Sequence, residues 1–254
     1  MEQLVVVLGI VAGIVVLAGG AVLIDRRRAK RSAPAEEVGD DDAAEYLTMM
    51  VGVLYALVLG VALVSVWEAK DGADTNISAE AGALHQTYLL ADGLPPEAAR
   101  RARAAALTYA TYVQDEEWPL MEQRKPLGPR GWALLHDVQN AWTSFEPSTN
   151  AQQQVDQLAF GQISVAYQAR QGREADTEGG MSGVMWFGLL AGGALTLGLM
   201  FLFGIRHTRT HLVLAVGFTS LIAFMVVFIY ALNSPFGGLL GLSPAPFAVV
   251  GVGG

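Results

Sequence analysis

Apolar residues gather into four uncharged runs, Leu4–Ile24, Leu47–Val66, Gly183–Ile205 and Leu212–Leu232. Each is long enough for a helix to cross a hydrocarbon core, which takes roughly 20 residues. The second run does not stop where the bilayer would. In "YALVLGVALVSVWEAKDGADTNISAE" the chain becomes charged at Glu68 with no proline and only Gly72 to interrupt it. Upstream, Asp42 with Glu45 three residues later has the spacing of a capping box. The next strong stop is "DGLPP", where Gly93 suits a left-handed cap and Pro95 cannot continue a helix. The pattern therefore predicts one helix from about Ala43 to about Ala91, roughly 70 Å long at 1.5 Å per residue. About 30 Å of that lies in hydrocarbon, so the helix projects well beyond the membrane.

The polar stretch that follows keeps a helical period throughout. Ile77, Ala81, Leu84 and Tyr88 form a stripe on the projecting part. Pro95 and Pro96 open a second helix that presents Ala99, Ala106, Tyr109 and Val113. It is predicted to end near Glu117, because Pro119 biases Trp118 away from helical angles. A third helix spans Trp132 to Phe145, with Trp132, Leu135, Trp142 and Phe145 at helical spacing. A fourth starts near Thr149 and carries Val155, Leu158, Ala159 and Ile163. "TEGGMSG" then forms a hinge into the third apolar run, since adjacent glycines weaken a helix. No run alternates with the period of a strand. The pattern predicts an all-α integral membrane protein, with four transmembrane helices and an extracytoplasmic helical bundle inserted between spans two and three. Its parts are residues 1–66 (spans one and two with a charged cytoplasmic loop, 25–45), the bundle 67–182, spans three and four at 183–232, and an uncharged tail, 233–254.

Composition agrees with this reading and narrows the chemistry. Of 254 residues, 52% are hydrophobic and only 16% charged, against about a quarter charged in soluble proteins. Cysteine is absent, which excludes disulfides, thiolate metal sites and cysteine nucleophiles. A net charge of −8 argues against a nucleic-acid partner. No nucleophile elbow, phosphate loop or metal triad is present, so no enzyme is expected.

Orientation follows from Lys and Arg in short loops. Arg26, Arg27, Arg28, Lys30 and Arg31 follow span one, and Arg206 and Arg209 fill the turn between spans three and four. Both loops fall on one side, which becomes the cytoplasm. Glu2 stands where a signal peptide would have basic residues, so span one is read as retained. Both termini and residues 67–182 are expected outside. The outer segment holds 9 basic and 16 acidic residues.

Several residues could carry function. The polar positions of span two are Thr48, Tyr55 and Ser65, and Glu68 stands at its mouth beside Trp67; these four are pore-lining or mouth candidates. With Lys70 and Asp71 close by, Glu68 reads first as the initial solvated charge beyond the membrane. Gly52, Ala56 and Gly60 form a small-residue ridge, and Gly188 and Gly192 repeat the spacing in span three, as Gly9 and Gly13 do in span one. Such ridges allow close helix packing, within one subunit or between subunits. Asp115, Glu116 and Glu117 crowd a predicted helix C-terminus, which the helix dipole disfavours. They call for compensation by Arg100, Arg101 or Arg103, by another segment, or by a divalent cation such as Ca2+ held by oxygen ligands.

"YALVLGVALVSVWE", "YLLADGLP", "YATYVQDEEWP", "MWFGLLAGGALTLGLMFLFGIR" and "LNSPFGG…SPAPF" resemble landmarks of a family of bacterial membrane proteins labelled bestrophin-like. The resemblance covers nearly the whole chain in order and implies a four-span protein of the bacterial cytoplasmic membrane. Bestrophins are pentameric anion channels gated by calcium, with a cytosolic soluble mass. The resemblance thus implies a homo-oligomer in lipid, but its anion preference and its cytosolic mass oppose the acidic outer segment and the orientation read from charge. It also implies carboxylates near "NSPF" and "SPAPF", where this chain has Asn233 and Ala245. Two function classes stand: a homo-oligomeric channel with a largely apolar pore and an acidic outer vestibule, or a non-conducting scaffold or accessory subunit whose bundle binds another envelope protein or component.

Overall fold

The structure is a computed structural model that describes residues 40–203, 209–238 and 240–252. Span one with Gly9 and Gly13, the basic run Arg26–Arg31, and Arg206 lie outside the described residues. Among the described residues the fold is helical and contains no strand. Three helices are long and apolar enough to cross a membrane, with spans at Tyr46–Gly93, Gly183–Met200 and Ala215–Leu232.

The predicted long helix is present as α1, Asp40–Leu90, a single helix of 51 residues. A 3-10 turn at Ala91–Gly93 ends it, and Pro96 opens α2, Pro96–Tyr112. Helices α3, Trp118–Glu122, α4, Arg130–Thr143, and α5, Asn150–Glu178, follow. The Thr149 hydroxyl caps α5 by accepting the Gln152 amide at 3.2 Å, the preferred role of a threonine at that position. Two further membrane helices, α6, Gly183–Phe203, and α7, Arg209–Leu232, precede a short α8, Ala245–Ala248.

One expectation is corrected. The second bundle helix does not stop before Pro119. Val113–Glu117 form a π turn in which the Trp118 amide reaches the Val113 carbonyl, five residues back, and Trp118 itself is helical at φ −56, ψ −48. A proline ring normally collides with the carbonyl four residues before it. The wider π turn displaces that carbonyl, so the chain remains helical through Pro119 as α3.

The described residues divide into two compact units, one within 1–67 and 181–233, the other within 68–180 and 234–254. In the first, Tyr55, Leu59, Ala62 and Val66 form the buried face of α1 and pack with Leu189, Ile222, Val226, Ile229 and Leu232. The Tyr55 hydroxyl donates to the Leu189 carbonyl at 2.9 Å, and its ring fills the notch left by Gly192 and Gly193. The Asn233 side chain accepts the Met181 amide at 2.7 Å, satisfying a donor exposed by the break before α6.

The second unit is a helical bundle of the C-terminal half of α1 with α2, α4 and α5, sealed by α3 and the tail. Its core includes Ile77, Leu84, Tyr109, Trp118, Leu135, Trp142 and Ile163. The tail completes this core, contributing Phe236, Phe247 and Val250. The Phe236 ring meets Trp118 edge-on, with centroids 5.7 Å apart. The Val250 carbonyl lies 3.1 Å from His85 Nδ1, and Lys70 reaches the Leu240 carbonyl. A segment without charge or period thus finds its place through two rings and its own carbonyls.

Candidate functional site: a buried charge cluster

Four charged side chains meet in the middle of the bundle, all fully buried: Glu80, Glu117, Arg170 and Arg173. Each comes from a stripe that is otherwise apolar. On α5 the buried positions run Ala159, Ile163, Ala166, Ala169, Arg170, Arg173, Thr177, so both arginines point where a helix of this spacing points its core residues. Glu80 interrupts the Ala73, Ile77, Ala81, Leu84 face of α1. Glu117 is turned inward at the end of the π turn.

The geometry is that of two interlocked forks. Arg170 donates to both oxygens of Glu117, at 2.6 Å and 2.9 Å. Arg173 does the same to Glu80, from Nε at 2.6 Å and from Nη2 at 2.9 Å. A third contact, Arg173 Nη2 to Glu117 Oε2 at 3.0 Å, joins the forks. Tyr109 sits between them, accepting from Arg170 at 2.8 Å and donating to Glu80. Arg173 also touches the Met121 sulfur at 3.2 Å. The Trp132 ring lies 4.9 Å from the Arg170 guanidinium carbon and the Phe247 ring 5.6 Å from that of Arg173. Bidentate pairs of this kind are the strongest hydrogen-bonded ion pairs in proteins, and aromatic faces add cation–π attraction.

Electrostatics keep the cluster charged. Burial alone would raise the pKa of Glu117, but hydrogen bonds from Arg170 and the charges of Arg173 and Arg170 outweigh it and hold the carboxyl below its ordinary range. Both arginines are pushed further up by their carboxylates, against the opposing effect of burial. Tyr109 is raised well above its usual value, by burial first and by the Glu80 charge second. Two positive and two negative charges cancel, so the cluster is neutral as a whole. Gly131 on α4 gives it room, because a methyl group there would fall on Arg170 Nη2 and Glu117 Oε1.

The residues singled out from sequence are scattered by comparison. Asp115 and Glu116 are exposed, whereas Glu117 is buried on the arginines. The three carboxylates are not brought together, and among the described residues no group of three His, Asp or Glu is arranged to hold a metal. Glu117 has both oxygens engaged, so this cluster does not fit the oxygen shell that calcium takes. Of the three carboxylates, Glu117 is compensated, by Arg170 and Arg173 rather than by Arg100, Arg101 or Arg103. Tyr55, expected at a pore, is 5% exposed and buried against α6. Thr48 is half-buried, and Ser65 and Glu68 are exposed. Of the small residues, Gly52 faces Phe218 and Gly192 faces Tyr55. Ala56 is exposed, and among the described residues Gly60 and Gly188 have open space beside them.

The buried cluster was missed in the sequence, yet it left a signal there. Arg170 and Arg173 continue the spacing of Ile163 and Ala166, and a charge on an apolar stripe implies a buried partner.

The family model described as a bestrophin-like domain matches residues 12–247. No curated protein gives a match. Among solved structures, a bacterial bestrophin homolog from Klebsiella pneumoniae carrying a point mutation aligns with a TM-score of 0.72 and 14% identity, over 96% of this chain and 96% of that one. A second structure, of a membrane protein with a single substitution, gives a TM-score of 0.72 at 14% identity over 96% and 95%. Such a low identity carries the fold alone. The landmark residues Tyr109, Glu117, Trp118, Phe236 and Phe247 converge in and around the charge cluster.

Proposed function

The chain belongs to the bestrophin-like family, and on that premise we propose that it is a homo-oligomeric, channel-like membrane protein that conducts small ions. The family match over most of the chain, joined to a fold shared across nearly its full length, is the observation that carries this reading. In this proposal α1 lies nearest the axis. Leu54, Val58 and Val61 are exposed and share one face of α1 with Ser65, and Glu68 follows three residues on. A pore built on that face is apolar with a polar outer end, a surface suited to gating by dewetting. Tyr55 takes a helix-positioning role instead, because its hydroxyl is already engaged on α6.

The second unit acts as the vestibule. Setting the four buried charges aside leaves fourteen acidic and seven basic residues in 67–182, so the whole imbalance is available to solvent. Such a surface concentrates cations. The cluster itself is the rivet of the vestibule wall, tying α1, α2 and α5 together.

Ion flux into liposomes carrying the purified protein, compared with the Glu68→Gln variant, tests the proposal. Flux above that of empty liposomes, favouring cations and reduced by the substitution, is expected. Flux that ignores the substitution keeps the channel and removes Glu68 from its path. No flux overturns the channel in favour of a scaffold whose bundle binds an envelope component.

A further inference from the structure

Arg124 has a φ of 54 and is the one non-glycine residue with positive φ among the described residues. It follows α3, where the Arg124 amide bonds the Met121 carbonyl at 3.0 Å and the Lys125 amide bonds the Leu120 carbonyl at 2.9 Å. This is the left-handed end of a helix, a position that glycine fills without cost and other residues fill only with strain. A strained residue persists where something else over-determines it. Here that something is the tail. Arg124 Nε donates to the Ser234 hydroxyl at 3.1 Å, two residues after the end of α7. Three residues further on, the tail passes so close to α3 that a Cβ at Gly237 would lie 2.7 Å from the Glu122 carbonyl. Between those two points Phe236 meets Trp118.

We propose that Arg124 is a positioning residue, kept in the left-handed position so that its side chain sets the register of the tail on the bundle. The left-handed backbone turns the side chain off the helix axis toward Ser234, and the fixed Ser234 delivers Phe236 to Trp118. With the register set there, the chain closes on itself through the Leu242 amide, 2.8 Å from the Pro235 carbonyl. Phe247 then arrives over Arg173. Arg124 acts on the charge cluster at a distance, by placing the ring that covers it.

Hydrogen–deuterium exchange on the full chain in detergent micelles tests this, with Arg124→Gly, Ser234→Ala and the double variant beside wild type. Arg124→Gly removes the strain together with the side chain, so the α3 amides are expected to exchange no faster than in wild type. The tail amides from Phe236 to Val250 are expected to exchange about tenfold faster, the size of one charge-assisted hydrogen bond. Ser234→Ala should accelerate the same amides to the same degree, and the double variant should add nothing. Unchanged tail amides in both single variants would overturn the proposal. So would acceleration confined to α3 in Arg124→Gly, which would make Arg124 a helix cap alone.

Discussion

Glu117 is the residue on which the bundle's charge balance turns, because it binds Arg170 through both oxygens and Arg173 through one. Glu117→Gln keeps the shape and removes the charge, leaving Arg170 buried without its counter-ion. Breaking a buried pair in this way costs about 3–5 kcal/mol, and a fall in the melting temperature of the purified protein should show it. Asp115→Asn and Glu116→Gln, on exposed side chains two residues and one residue away, should stay within about 0.5 kcal/mol of wild type. The pH dependence has a definite sign. The folded-state pKa of Glu117 is lowered from 4.5, so its contribution is complete above that ordinary value and is lost as pH falls through the lower folded one. Stability measured across this acid window should therefore fall less steeply in Glu117→Gln than in wild type.

Among the elements, α1 and α6 are joined by a peg in a notch. Tyr55→Phe removes the bond to Leu189, worth about 0.6 kcal/mol between helices in a membrane. Gly193→Ala would put a methyl group 2.7 Å from the Tyr55 hydroxyl oxygen and force the ring aside, at about 1–3 kcal/mol. Because both changes act on one contact, the double variant should be less destabilised than the sum, as read from unfolding in mixed micelles. The helices themselves were legible in the sequence because apolar spacing and caps are local: the start of α5 at Thr149 and the unbroken run through Glu68 needed no tertiary information. The π turn was not, since Pro119 signals a stop unless the turn before it widens. Nor was the cluster, whose partners at 80, 117, 170 and 173 meet only after the bundle closes. The tail was opaque for a third reason. It has neither charge nor period, and its partners, Trp118, Arg124 and Arg173, lie more than sixty residues away in sequence.

For the whole molecule, the charge rule predicts the bundle outside, whereas bestrophins carry their soluble mass in the cytosol. The chain contains no cysteine, so a single introduced thiol reports cleanly. Asp92→Cys, at an exposed turn of the bundle, should react with a membrane-impermeant maleimide on intact spheroplasts. Labelling only after lysis would reverse the orientation and place the acidic vestibule in the cytoplasm. The closure of the bundle by Phe236, Phe247 and Val250 also has a consequence in time. Residues 68–180 leave the ribosome first, but their core lacks its last three side chains until two more membrane helices have been made. That is a delay of about 4–14 seconds at roughly 5–20 residues per second. During it Trp118 lacks its Phe236 partner and the Arg173 guanidinium lacks the Phe247 ring, so a chain halted within α7 would carry a bundle whose charged centre is covered on every side but the one the tail supplies.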